Sequence, residues 1–292
     1  MSQAPLEEDV FEAARPRLLG LAYRMVGTMA DAEDVVQEAW LRWNGADQGS
    51  IERPDAWLTT VTARLAIDRI RATSRRREEY VGPWLPEPVV VDAGPEAVAE
   101  VADSLTLGFL TLLDHLSPVE RAVFLLVDVF RVPYEDVARG VGKSKVACRQ
   151  IASRARRRLQ GASARRPSGE ERRIVDELLV ALATGDIDAV LARLSPDVVC
   201  VSDGGPTRRA ARRPVVGADR VARFFVNLAR RAYARARVVP AVINGDPGVI
   251  TYVGEEVDFV AAFEIAGGRV AAIWLVRNPE KLEHVLTPVA IR

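Results

Sequence analysis

Residues 137–166 contain no aspartate or glutamate, yet carry Arg139, Lys143, Lys145, Arg149, Arg154, Arg156, Arg157, Arg158, Arg165 and Arg166. The chemistry open to such a block is the neutralisation of phosphates, since closely spaced cations release the counterions condensed on a nucleic acid. The whole chain balances 40 basic against 40 acidic side chains, so the block is a local feature. Arg149 and Gln150 are of the types that pair with guanine and adenine edges, whereas Arg154, Arg157 and Arg158 suit phosphates, which position without specifying. A second possible chemistry is general-base catalysis by Asp203, Glu256, Asp258 or Glu264, which needs a buried carboxylate beside a substrate. The alternating charges of 256–264 more simply read as the wet face of a strand. Cys148 and Cys200 stand far apart, and His115 and His284 are the only histidines, so neither a disulfide framework, a metal site nor a cofactor is expected. Lysine occurs only at 143, 145 and 281, which reads as a composition bias towards arginine.

The elements that must position the basic block can be read from residues 133–159. A short helix over 134–139 would bury Val137 and Ala138, with Gly140 and Gly142 making a turn. Ser144 is a good N-cap for a second helix, 144–159, burying Val146, Ala147, Ile151, Ala155 and Leu159. That leaves Lys143, Ser144, Lys145, Arg149, Gln150, Ser153, Arg154 and Arg157 for DNA, the arrangement of a helix-turn-helix. An Arg-rich surface helix is the plainer alternative, but it leaves the turn and the preceding helix unexplained.

Around this motif the chain divides into 8–79, all helical; 80–97, Pro-rich; 98–160, helical; 161–169, a short linker; and 170–292, of α+β type. Asp31 reads as an N-cap with Glu33 and Asp34 in the first turn. Ser117, Pro118 and Glu120 form a capping box with proline at the first helical position. The last region predicts one or two helices, then strands over 198–201, 236–242, 249–252, 256–265 and 269–276, with Gly267 and Gly268 in a hairpin. Apolar runs are too short to span a bilayer and the acidic start has no signal-peptide character, so a cytoplasmic location without a membrane partner is expected.

Residues 31–40 (DAEDVVQEAW), 57–71 (WLTTVTARLAIDRIR) and 116–124 (LSPVERAVF), followed by the helix-turn-helix, resemble bacterial sigma-70-type factors of the extracytoplasmic-function (ECF) class, in the right order over most of 11–160. The resemblance implies two all-α sigma domains that bind RNA polymerase core and promoter DNA. Val35, Val36, Ala39, Trp40 and Trp43 would supply the buried face of the first helix. Its outer face, Asp34, Gln37, Glu38, Leu41 and Arg42, would dock on the clamp helices of the polymerase β′ subunit, and the second sigma domain on the β flap. An ordinary amphipathic surface helix would show the same pattern. In the next helix Trp57, Leu58, Val61, Leu65 and Ile70 look like packing residues. By resemblance the loop 44–55 would accept an unpaired base of the −10 element, with Arg64, Asp68, Arg69, Arg71, Arg75, Arg76 and Arg77 near the strand. Asp68 and Arg71 serve equally well as an ion pair, and Arg64 stands where many ECF factors carry Asn, which leaves base preference open.

Trp84, Leu85, Pro86, Glu87 and Pro88 form a WLPEP motif resembling that of the SigJ-like subgroup, ECF factors with a C-terminal SnoaL-like domain. The two prolines stiffen an extended segment, and Trp84 and Leu85 give it apolar anchors. In the last region Asp203, Gly204 and Gly205 begin a stretch standing where the subgroup has DGGGK, with Pro206 for the third Gly and Arg208 or Arg209 for the Lys. Asn278, Pro279, Glu280, Lys281 and Leu282 stand where it has NPDKL. These residues read either as turn and cap or as a regulatory contact between domains. The resemblance implies a SnoaL/NTF2-like cone, a fold whose relatives use a pocket Asp or His as a general base. Here the domain's one histidine, His284, lies near the tail and no carboxylate is marked as buried, so a non-catalytic domain is expected, with Phe224, Phe225, Phe259, Phe263 and Trp274 lining a small-molecule pocket or forming plain core. The rival functions are a one-component helix-turn-helix regulator with a ligand-sensing domain, and a tethered SnoaL-like isomerase or hydrolase.

Overall fold

The computed structural model describes residues 7–90, 106–159, 169–231 and 235–286. The chain splits into two compact units, one built from residues 1–78 and 110–162, the other from 79–109 and 163–290.

In the first unit, α1 (Glu7–Val26), α2 (Met29–Asn44) and α3 (Pro54–Glu78) pack around Leu18, Leu21, Met25, Val36, Trp43 and Leu58. Helix α2 starts three residues earlier than its acidic cluster suggests. Thr28 is the N-cap, accepting from the Asp31 backbone N–H and donating its hydroxyl to the Asp31 carboxylate at 2.9 Å. Asp31 therefore lies in the first turn, where a carboxylate completes a reciprocal cap. This start places Val35, Val36, Ala39 and Trp43 inside, but Trp40 is 36% exposed and is not a core residue.

Helices α4 (Leu107–Leu113) and α5 (Pro118–Phe124) follow, the latter opened by the expected Ser117–Glu120 capping box. A π-helical turn, Leu125–Val129, leads to α6 (Tyr134–Val141) and α7 (Lys145–Arg158). Gly140 lies inside α6 and not in the turn. Gly142 alone makes it, as the left-handed C-cap of α6 with φ 63°. Ser144 caps α7 as expected. The buried side of α7 is Cys148, Ile151, Ala152 and Ala155, rotated from the expected face, so that Val146 is 63% exposed.

The second unit holds α8 (Gly169–Thr184), α9 (Ile187–Arg193), β1 (Leu194–Asp203), β2 (Val215–Val216), α10 (Ala218–Arg231), β3 (Arg237–Ile243), β4 (Asp246–Val253), β5 (Glu256–Ala266) and β6 (Arg269–Val276). The six strands run in the order β2-β1-β6-β5-β4-β3, with β1 and β6 parallel and the other pairs antiparallel. A third helix, α10, and the short β2 exceed the expectation of one or two helices. On β5, Phe259, Ala261 and Phe263 face the helices, while Val260 and Ala262 join Leu85, Leu107 and Leu282 on the other side. A strand buried on both faces explains the continuous apolar run of 259–263. Asp258, just before this run, is 6% exposed, and so is not part of a solvent face. The Pro-rich segment thus supplies a second covering layer to the sheet. It also adds to the β3 edge, through a bridge from Val90 to Ile243 and two 2.8 Å hydrogen bonds between Val89 and Asn244.

Candidate functional site

Helix α7 presents Val146, Arg149, Gln150, Ser153, Arg154 and Arg157, spaced three and four apart and therefore on one stripe. All of them are exposed, as are Lys143 and Ser144 at the entrance to the helix. The other cations are held by neighbours: Arg156 pairs with Asp128 at 2.8 Å, Arg158 with Glu120 at 3.1 Å, and Lys145 with Glu135. The Arg149 guanidinium lies 5.6 Å from the Tyr134 ring. The three ion pairs lie on the flanks of α7, off its central stripe. Its length and shape suit a major groove, with base-reading types near the N-terminus and cations further along.

On α2, Asp34, Gln37, Leu41 and Arg42 are exposed and Glu38 is half-buried, with Arg42 paired to Glu38 at 3.1 Å. Trp40 adds apolar surface beside Leu41, which is 53% exposed. Arg69 on α3 reaches across to Asp31 and Asp34, and its hydrogen bond to Asp31 raises its pKa. Arg64, Asp68 and Arg71 lie exposed on one face of α3, the last two paired at 3.4 Å. The side chains of Arg75 and Arg76 lie outside the described residues. Arg77 does not join the exposed set. It pairs with Asp114 at 3.0 Å and donates to the Val26 carbonyl at 2.5 Å, and burial lowers its pKa.

The loop after α2 borders a cleft of about 580 Å³ lined in part by Ser50, Ile51, Arg53, Trp57, Arg64 and Asp136. One wall belongs to α6. Arg53 pairs with the buried Asp136 at 2.7 Å, and a Cβ at Gly140 would come within 2.8 Å of the Thr60 side chain. Arg121 ties the same helical layers elsewhere, donating to the Met25 carbonyl at 2.6 Å and pairing with Asp114.

In the second unit Asp203, Lys281 and the WLPEP segment meet. Asp203 is fully buried at the end of β1. Its Oδ1 accepts from the Tyr80 hydroxyl at 2.5 Å and the Gly205 N–H at 3.0 Å, and its Oδ2 from the Leu85 N–H at 2.9 Å and Lys281 Nζ at 2.7 Å. Lys281 also donates to the Leu85 carbonyl at 2.5 Å and lies 4.0 Å from the Trp84 ring. Burial and the hydrogen bond to Asp203 push the Tyr80 phenol well above its usual pKa. Asn278 caps the turn Pro279–Lys281 through the Glu280 N–H and donates to the Tyr80 hydroxyl at 2.9 Å. Turn, cap and contact are therefore one structure and not alternatives. Leu85, Pro86, Glu87, Pro88, Gly204 and Leu282 are buried around it. Arg208 donates its backbone N–H to the Gly204 carbonyl at 3.1 Å, but its guanidinium pairs with Asp258 at 3.4 Å and not with Asp203.

Residues 10–76 match the model of sigma-70 region 2, residues 107–159 that of sigma-70 region 4, and residues 175–273 that of the SnoaL-like domain. The chain is 40% identical to the ECF RNA polymerase sigma factor SigJ of Mycobacterium tuberculosis, over 94% of this chain and 93% of that protein. It belongs to the ECF sigma factors. The probable ECF RNA polymerase sigma factor SigI of M. tuberculosis is 33% identical over 97% of each chain. The crystal structure of M. tuberculosis SigJ superposes with a TM-score of 0.76 at 38% identity, covering 93% of this chain and 96% of that one.

As an ECF sigma factor, the protein directs RNA polymerase to promoters through regions 2 and 4. The four carboxylates considered for catalysis fall elsewhere than the cavity of its C-terminal cone. Asp203 is in the buried cluster, Asp258 pairs with Arg277 at 2.9 Å, and neither Glu256 nor Glu264 lines the cavity. Phe225, Phe259 and Phe263 do line it, whereas Phe224 and Trp274 do not. Sequence reasoning missed Tyr80, four residues before Trp84. It singled out Lys281 as part of a turn or a regulatory contact but read the rarity of lysine only as composition bias, although that rarity was the clue to its burial. A compact ammonium with three donors fits a buried site that a planar guanidinium does not. Among the described residues, no helix is long and apolar enough to cross a membrane.

Proposed function

We propose that this ECF sigma factor is regulated in cis, the SnoaL-like cone acting on the segment that joins regions 2 and 4. The observation that carries this reading is the buried Asp203–Lys281 pair, which holds Tyr80, Trp84 and Leu85. The covalent path from region 2 to region 4 thereby becomes part of the fold of the cone. In this reading the cone is a binding and regulatory domain without catalysis, and the protein works in the cytoplasm beside polymerase.

Region 2 docks on the β′ clamp helices through Asp34, Gln37, Glu38, Leu41 and Arg42, with exposed Trp40 as an added apolar contact. Arg64, Asp68, Arg69, Arg71, Arg75 and Arg76 flank the −10 strand. Region 4 contacts the β flap and reads the −35 element through Lys143, Ser144, Lys145, Arg149, Gln150, Ser153, Arg154 and Arg157. Val146 stands on the same exposed stripe, where an apolar side chain can meet a thymine methyl.

In-vitro transcription with core polymerase and full-length protein tests the regulation. Lys281→Met is expected to change the yield of promoter-specific transcript more than threefold. An unchanged yield at every promoter, with the cluster shown to be broken, would remove the cluster from regulation.

A further inference from the structure

The helix-covered face of the sheet encloses a cavity of about 720 Å³, within the range of roughly 300–1,000 Å³ usual for small-molecule sites. Its wall is hydrocarbon, with Leu178, Val221, Phe225, Phe259, Phe263 and Ile273 among the lining residues. Two polar side chains border it. Arg230 is at the exposed rim and donates to the Gly185 carbonyl at 3.2 Å. Thr251, on β4, is 1% exposed, and its hydroxyl has no hydrogen-bond partner. A buried hydroxyl left unpaired costs about 1–3 kcal/mol, so a ligand oxygen that satisfies it gains what folding left unused. An ammonium deep in this cavity would shed its water and meet no countercharge among the lining side chains, and a carboxylate there would find only Arg230, out at the exposed rim and already donating to Gly185.

We propose that this cavity binds a neutral, largely hydrocarbon molecule carrying one hydrogen-bonding oxygen, which pairs with the Thr251 hydroxyl. The proposal deepens the regulatory reading by giving the cone an input. Binding is nonetheless measurable without polymerase or DNA, so the two readings can fail separately.

The test is displacement of the neutral fluorescent dye N-phenyl-naphthylamine from the full-length protein by three probes of one skeleton. These are acetylnaphthalene, a neutral ketone; isopropylnaphthalene, which lacks the oxygen; and naphthoate, which is charged. Acetylnaphthalene is expected to compete best and naphthoate worst. Thr251→Val is expected to weaken the ketone about 3- to 10-fold, the worth of one net hydrogen bond, and to leave isopropylnaphthalene unchanged. Thr251→Ser keeps the hydroxyl and the preference. Ala183→Trp, at the exposed lining, is expected to exclude the dye and all three probes. Dye binding unaffected by Ala183→Trp would overturn the proposal, as would naphthoate matching the ketone or Thr251→Val weakening ketone and hydrocarbon alike. If Thr251→Val does not fold, loss of the ketone preference in Thr251→Ser has the same force.

Discussion

Replacing Lys281 by Met keeps most of the side-chain volume at the buried cluster and removes only its charge and donors. The ammonium lies 2.7 Å from Asp203 and 2.5 Å from the Leu85 carbonyl, and both side chains of the pair are at most 6% exposed. Removing one partner of a buried ion pair costs about 3–5 kcal/mol, because the other charge stays buried. Asp203 keeps three donors, from Tyr80, Leu85 and Gly205, so the loss belongs near 3 kcal/mol at the lower end of that range. For a unit of this size, roughly 2–4 °C per kcal/mol gives a fall of about 6–12 °C in the Tm of the second unit. Asp203→Asn strands the ammonium instead and is expected to cost at least as much. Calorimetry and urea titration of the singles and the double variant complete the cycle. The double is expected to be less destabilised than the sum of the singles, by about 1–3 kcal/mol. Additive losses, or a Lys281→Met cost under about 1 kcal/mol, a magnitude ordinary for exposed pairs, would refute the reasoning. Lys281→Arg is not conservative here, since a planar fork cannot replace a compact ammonium over Trp84.

Burial raises the pKa of Asp246 to about 8, with Glu264 and Glu171 adding to the effect, and its Oδ2 is buried without a hydrogen-bond partner. The folded state therefore holds a proton that the unfolded state loses near pH 4. Stability is fullest below that pH and is lost as pH rises towards 8, by at most about 1.4 kcal/mol per pH unit. Asp246→Asn is expected to flatten this slope in urea titrations at pH 5 and 8.5; an unchanged slope would assign it elsewhere. Arg149→Ala is expected to weaken promoter binding about 10- to 100-fold and relax specificity at one position. Arg157→Ala should weaken all sequences similarly and lower the salt slope by about 1, and identical behaviour of the two variants would count against the division of labour on α7. The Trp40→Ala, Leu41→Ala double variant is expected to lose at least about 1 kcal/mol of affinity for core polymerase with little change in Tm, which a pull-down titration beside a melting curve would check.

The helix-turn-helix was legible because its signals are local: Ser144 before a helix, Gly142 after one, and a basic block without carboxylates. Its rotation was less so, since Val146 and Cys148 are both apolar and only the packing of α5 and α6 decides which is buried. The same ambiguity misplaced Trp40, whose ring lies at the edge of the α2 core face. The sheet showed its strands but not its second covering layer. Val257, Val260 and Ala262 could equally have faced solvent, until Leu85, Leu107 and Leu282 were found over them. The Asp203 cluster joins residues about 80, 200 and 280 in the sequence, a separation that no local pattern encodes; only the family motifs pointed there. Asp258 misled because a charged residue in an alternating run looks wet, while its partners, Arg277 and Arg208, come from distant positions.

Regions 2 and 4 touch in the first unit, where Gly140 of α6 meets Thr60 of α3 and Arg53 pairs with Asp136. In the function proposed above they engage the −35 and −10 elements, whose names place them about 25 base pairs apart, or roughly 85 Å at 3.4 Å per pair. A single pair of surfaces in contact cannot span that distance, so promoter engagement requires Arg53–Asp136, Arg77–Asp114 and Arg121–Met25 to separate. The first of these pairs is half exposed and weak, whereas Arg77 and Arg121 are largely buried and share Asp114. Separation is therefore expected to be limited by the Asp114 contacts. With fluorophores at Glu33 and Pro133, both exposed and outside the residues assigned to DNA, energy transfer should be high in the free protein and fall on adding core polymerase and promoter DNA. Asp114→Asn should lower it in the free protein more than Arg53→Ala does. Equal effects of the two variants would place the restraint elsewhere. Transfer that stays high in a transcribing complex would mean that the two regions never part, and the promoter geometry would then have to be met some other way.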